Sequence, residues 1–216
     1  MTDQHKSPTH SSAVGHRRQG RIHGLSQLDI GGNGPGPLAT FDACHRLRPL
    51  TTAAQAPDTG PAEISTEQVR ALDLSPLEAW FAQDPKTLLE ASGQLELRFS
   101  WPRQPDDPRE LSEIAEIRLW SLRADALCPW LPLLLERSSG QLTRHVAMLL
   151  PHSFSRSEGI RFAPDSLELW VTHRLYLLDH WSRGHGLNCR GNLGQMAAVL
   201  GFELDEGFWR QLDGPS

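Results

Sequence analysis

Two stretches of the 216-residue chain concentrate side chains able to do chemistry. The first, LLPHSFSRSEGI from Leu149 to Ile160, sets His152 beside Ser153 and Ser155, with Phe154, Arg156 and Glu158 among them. A hydroxyl, an imidazole and a carboxylate are the parts of a nucleophile, its base and an orienting group. Hydroxyl and imidazole groups this close in sequence more often form turns and caps, which favours a structural or binding loop. The second stretch, QPDDPRELSEIAEIRLW, gathers Asp106, Asp107, Glu110, Glu113 and Glu116 around Arg109. Asp106 and Asp107 have the chemistry of an acid and base pair or of metal ligands, but the oxygen-ligand spacing of a calcium loop is missing. Asp-Asp-Pro-Arg reads equally as a turn closed by an internal ion pair. His173 and His180 fall seven residues apart on one predicted helix, about 10 Å along its axis, too far to share a metal unaided.

The elements that must position these groups follow from pattern and punctuation. Residues 1–61 are rich in His, Arg, Ser, Gly and Pro and show no apolar period, so they are expected to form a disordered tail. The five histidines of this segment have no recognisable ligand spacing. Residues 62–214 are expected to form a single α+β domain. Ser75-Pro76 and Asp84-Pro85 each place an acceptor before a proline already at helical φ, predicting two short helices that end at Gly93. QLELRFSWP alternates Leu95, Leu97 and Phe99 against Glu96 and Arg98, the period of a half-buried strand. EIRLWSLRA sets Ile117, Leu119 and Ser121 on one face in the same way, so the two are expected to pair antiparallel. Leu142, Val146 and Leu149 recur at helical spacing. So do Leu167, Val171, Leu175, Leu178 and Trp181, on a long helix from Pro164 to Gly184. A short helix capped by Asn192 and another starting at Asp205 complete the chain. Trp80, Trp170, Trp181 and Trp209 fall on apolar helix faces and are expected in the core. The fold class is α+β, a small antiparallel sheet covered by several helices.

Composition narrows the function classes. A net charge of −5 gives no overall basic field for nucleic acid. Cys44, Cys128 and Cys189 are odd in number and widely separated, which fits a reducing compartment. The N-terminal residues lack the apolar core of a signal peptide, and the most apolar run, CPWLPLLLE, is short and broken by prolines. A cytoplasmic protein with no stable membrane insertion is expected. The nucleophile-elbow, zinc-protease, P-loop and dinucleotide-binding signatures are absent.

Three blocks carry a resemblance: Pro108 to Ile114 (PRELSEI), Pro129 to Pro132 (PWLP) and Pro151 to Ile160 (PHSFSRSEGI). With the closing MAAVLGFELDEGFW, they resemble the Chlororespiratory Reduction 6 family, in order and spacing, from about Ile64 to Leu212. The resemblance implies a soluble assembly factor, not an enzyme, for the photosynthetic NAD(P)H dehydrogenase-like complex, in the cyanobacterial cytosol or the chloroplast stroma. It implies as partner the ferredoxin-like iron–sulfur subunit of the hydrophilic connecting arm. No cofactor is expected in this chain, since a cluster needs about four thiolates and the predicted domain has only Cys128 and Cys189. The expected partner-binding residues are Asp106, Asp107, Arg109, Glu110 and Glu113 in one block and His152, Phe154, Arg156 and Glu158 in the other. A hydrolase using His152 and Glu158 is an alternative. In another, Arg109, Arg118, Arg156 and Glu158 are buried and paired as internal scaffolding.

Overall fold

Capping signals set several of the first helix boundaries. In the computed structural model, which describes residues 20–21, 60–135 and 140–213, Ser65 begins helix α1 (Thr66–Ala71) with a reciprocal capping box. Its hydroxyl accepts from Gln68 N–H, and the Gln68 side chain accepts from Ser65 N–H. Asp84 caps helix α3 (Pro85–Glu90) as expected, accepting from the amides of Lys86 and Thr87 at 3.1 Å. At Ser75-Pro76 the acceptor is a different residue. Asp73 accepts from the Ser75 amide and hydroxyl, both at 2.9 Å, and a 3-10 turn over Ser75–Leu77 leads into α2 (Glu78–Phe81). Those two hydrogen bonds, backbone first, hold the Asp73 carboxyl below the ordinary carboxylate range.

Helix α4 (Ala115–Leu127) stands where the second strand was expected. Over Ile117 to Ser121 the two periods are hard to tell apart. The longer window decides, because Ile117, Trp120, Ser121, Ala124 and Cys128 are all fully buried while Leu119 is 53% exposed. The strand β3 (Leu97–Ser100) therefore finds another partner. It pairs parallel with β2 (Ala62–Ser65), in register Ala62 to Leu97 and Ile64 to Phe99, with α1 to α3 forming the crossover. The antiparallel pair of this α+β fold forms elsewhere: β4 (His152–Ser155) and β5 (Gly159–Phe162) make a hairpin from the Pro-His-Ser-Phe block. Gly159, at φ 73°, takes the left-handed conformation that closes its turn. A third pair, parallel, joins β1 (Gly20–Arg21) to β6 (Phe202–Glu203). Beyond Gly20–Arg21 and residues 60–61, the expected disordered tail lies outside the described residues.

The remaining helices follow their stripes. Leu131–Leu134 forms α5, fully within the core, and α6 (Gln141–Leu149) buries Leu142 and Val146. Helix α7 runs from Pro164 to Gly184 and buries Leu167, Val171, Leu175 and Leu178, each worth roughly 1.5–3 kcal/mol when withdrawn from water. Helix α8 (Arg190–Val199) starts before Asn192, which lies inside it and does not cap it. Asp205 does cap α9 (Glu206–Asp213), accepting from Phe208 N–H at 2.9 Å. Trp80, Trp120, Trp130 and Trp170 are buried, and Trp181 and Trp209 pack against that core half-buried. Trp120 also donates its indole N–H to the Asp73 carbonyl at 2.8 Å, fastening α4 to the end of α1.

Candidate docking surface

The acidic loop is a turn built on Asp107. Its carboxylate accepts from the Arg109 amide at 3.0 Å and from the guanidinium at 2.7, 2.9 and 3.1 Å. These bonds, side chain first, bring its pKa down from 3.8 to about 2. Arg103 donates to the Asp107 carbonyl at 3.2 Å. Asp106, Arg109 and Glu113 are exposed, while Asp107 and Glu110 are half-buried. Glu110 turns the chain, its carbonyl accepting from Glu113 N–H at 2.9 Å, and the 3-10 turn Leu111–Glu113 that follows buries Ser112.

Ser112 joins the two blocks. Its hydroxyl lies 2.8 Å from Nε2 of His152, forty residues further along the chain. Nδ1 of the same ring lies 3.1 Å from the Leu150 carbonyl. With Nδ1 protonated, the ring donates to that carbonyl and Nε2 accepts from the Ser112 hydroxyl. Arg118, on α4, donates to the same Leu150 carbonyl at 3.2 Å and lies 3.4 Å from Nδ1. The acidic turn, the start of α4 and the base of the hairpin thus meet at one imidazole.

Beyond that base the hairpin turns outward. Phe154 is 45% exposed, and Arg156 and Glu158 are exposed at the tip. Ser155 organises the tip, its hydroxyl accepting from the amides of Ser157 and Glu158 at 3.3 and 3.4 Å. Glu158 pairs with Arg161 at 2.8 Å, both side chains more than half exposed. The hydrolase arrangement does not form: His152 is engaged by Ser112, Ser155 by its own turn and Glu158 by Arg161. Internal scaffolding describes Arg118, which is half-buried and bonded, but not Arg109, Arg156 or Glu158, which are exposed.

A second polar cluster, unforeseen in the sequence, lies inside the core. Asp125 is wholly buried on α4. One carboxylate oxygen is 3.2 Å from Nε2 of His145 on α6, and the other accepts from Arg174 on α7. Ser121 is 3.3 Å from Nδ1 of His145. Serine, histidine and aspartate here stand in the hydrogen-bonding order of a catalytic triad. Ser121 and Asp125 have no exposed surface, so no substrate reaches the hydroxyl. Burial lowers the Arg174 pKa, and the Asp125 carboxylate opposes that shift. The overlooked signal was positional: His145 and Arg174 fall on the apolar stripes of their helices, beside Leu142 and Val146 and beside Val171 and Leu175. A charge on such a stripe is buried and needs a partner.

Asp179, on α7, is likewise buried and accepts from Arg183 and from Arg190 Nε, the latter at 3.1 Å. Arg190 also grips Asp213, so α7, α8 and α9 share one ion-pair network. Asp213 first, and Asp179 with it, raise the Arg190 pKa. His173 is exposed on α7, with its pKa lowered by partial burial and by Arg174. Among the described residues no group of three His, Cys, Asp or Glu side chains is arranged to hold a metal, and no helix is long and apolar enough to cross a membrane. Cys128 and Cys189 are both buried, and burial raises the pKa of the Cys189 thiol.

A family model described as Chlororespiratory reduction 6 matches residues 64–211, and that span includes the acidic turn, the hairpin and the buried cluster. The chain belongs to the Chlororespiratory reduction 6 family. Membership supports a role as an assembly factor of the NAD(P)H dehydrogenase complex, and the family is not known as enzymatic. No solved structure matches the chain.

Proposed function

We propose that this chain, acting through residues 62–214 as a single unit in the cytoplasm, binds the ferredoxin-like iron–sulfur subunit of the connecting arm and helps it mature. It does so without a cofactor of its own and without contacting nucleic acid or inserting in the membrane. The docking surface is the acidic turn with Asp106, Asp107, Arg109, Glu110 and Glu113, together with the hairpin that carries His152, Phe154, Arg156 and Glu158. The observation that carries this reading is the 2.8 Å contact between Ser112 and His152, which makes neighbours of two polar blocks forty residues apart. Around that join, exposed charges of both signs can steer and orient a partner, and the exposed Phe154 ring is the natural apolar anchor.

The experiment is binding of the purified iron–sulfur subunit to the full chain, with Asp107→Ala, Phe154→Ala and Glu158→Ala alongside. Saturable binding that each substitution weakens while the melting temperature stays near that of the parent supports docking. A parent chain that does not bind the subunit refutes the reading.

A further inference from the structure

The outer edge of β3 borders a cleft. In a parallel ladder each strand turns alternate residues toward its partner. Ala62 N–H donates to the Glu96 carbonyl at 2.8 Å, so Glu96, Arg98 and Ser100 face β2, and Leu97 and Phe99 direct their backbone groups the other way. On that side Leu97 N–H donates to the Gln141 side chain of α6 at 3.3 Å. No strand pairs with this edge among the described residues, which leaves the Leu97 carbonyl and the Phe99 amide directed at the cleft. The cleft between β3 and α6 measures about 340 Å³, at the small end of the roughly 300–1,000 Å³ usual for ligand sites.

Its lining is apolar along Leu97, Phe99, Leu111 and Met148, with His145 of the buried cluster also in its wall. Charge sets the polarity of an occupant. Arg98, at one margin, is matched by Glu96 at 3.0 Å and Glu63 at 3.5 Å. Arg144 is exposed on α6 with no ion-pair partner among the described residues. A strand edge and a cation that no described residue pairs, set beside an apolar trough, have the makings of strand addition, in which backbone bonds supply affinity and side-chain pockets supply selectivity.

We infer that this cleft receives an extended segment of the client protein, added along β3 as a third strand, with an apolar side chain in the trough and a carboxylate at Arg144. The inference rests on the client-binding reading above and assigns it a second contact, made by β3 and α6 and not by the acidic turn and hairpin. The strand edge gives the segment its extended form, and Arg144 favours the direction that brings its carboxylate to α6.

The test uses the full chain and the purified iron–sulfur subunit. Affinity is measured for the parent and for Arg144→Glu, and amide hydrogen exchange is followed at Phe99 with and without the subunit. The inference expects Arg144→Glu to bind about tenfold more weakly at an unchanged melting temperature, and the Phe99 amide to exchange more slowly once the subunit is bound. Equal binding by both chains with no change at Phe99 overturns the cleft and leaves the client reading standing. Weaker binding with unchanged Phe99 exchange overturns strand addition. Slow Phe99 exchange before the subunit is added means that the chain's own residues fill the edge, and it also overturns the inference. A parent chain that does not bind the subunit removes both readings together.

Discussion

Asp125, His145 and Arg174 are 0%, 3% and 8% exposed, whereas Asp107, Arg109, Glu158 and Arg161 form their pairs in or near water. Both regions are made of acids opposite bases, often at similar distances, yet the physics differs. In the core a charge that loses its partner cannot turn to solvent, so the cluster ties α4, α6 and α7 into one arrangement. On the acidic turn and hairpin water competes for every charge, so those pairs add little to stability and stay available to a partner. The lesson is that ion pairs here divide by burial into those that hold the fold and those that present a surface. Ser112, His152 and Arg118 stand between the two classes, the serine buried and the other two half-buried, all bonded, where the fold ends and the surface begins.

Substitutions test that division. The largest effect is expected for Asp125→Ala, which strands the Arg174 guanidinium in the core and should cost about 3–5 kcal/mol in urea unfolding. A loss under about 1 kcal/mol would break the comparison by showing that water reaches the cluster. Ser112→Ala removes the partner of His152 Nε2 at a half-buried site and should cost roughly 1–2 kcal/mol, with chemical-shift changes reaching both the acidic turn and the hairpin. Shifts confined to one block would mean that the two are not coupled through this bond.

Asp107→Asn sharpens the comparison through pH. The folded pKa of Asp107, about 2, lies below its ordinary 3.8. Its contribution is therefore present above about pH 4 and is lost as pH falls through 2. The melting-temperature gap between parent and Asp107→Asn should be small at neutral pH and should close over that window. A gap that persists at pH 2 would assign the stabilisation to something other than the carboxylate. Smallest of all, Glu158→Ala should move stability by no more than about 0.5 kcal/mol, since its ion pair with Arg161 is solvated. A thermal melt displaced by several degrees would transfer Glu158 to the fold-holding class.

Local signals made much of this readable in advance. The cap at Asp84, the apolar stripe from Leu167 to Leu178 and the stop at Gly184 each lie within a few residues of the boundary they set. The strand at Leu97–Ser100 was legible from alternation, but its partner was not, because backbone pairing leaves no mark on the sequence of the other strand. The stretch from Glu116 to Ala124 reads as a strand for a related reason, although it lies inside α4. Five residues fit both periods, and the exposure of Leu119 reflects what packs against α4 and not its own neighbours. Of the candidate site, the acidic turn and the Pro-His-Ser-Phe block were visible as polar concentrations. Ser112 was not, being one serine among the acids around it, and the partners of Asp125 lie on two other helices.

The sequence by itself determined the α+β class, the cap of α3, the stripes of α6 and α7 and the start of α9, the chemical character of the two polar blocks, and the family through motifs whose order and spacing are linear properties. Only the tertiary structure decided that Ser112 meets His152, that Asp125, His145 and Arg174 converge, that β3 lies parallel to β2, and that the outer edge of β3 opens on a cleft. Caps and periods act within a turn or two of chain. These contacts instead join residues twenty to fifty positions apart, and their geometry is set by how whole helices pack on one another.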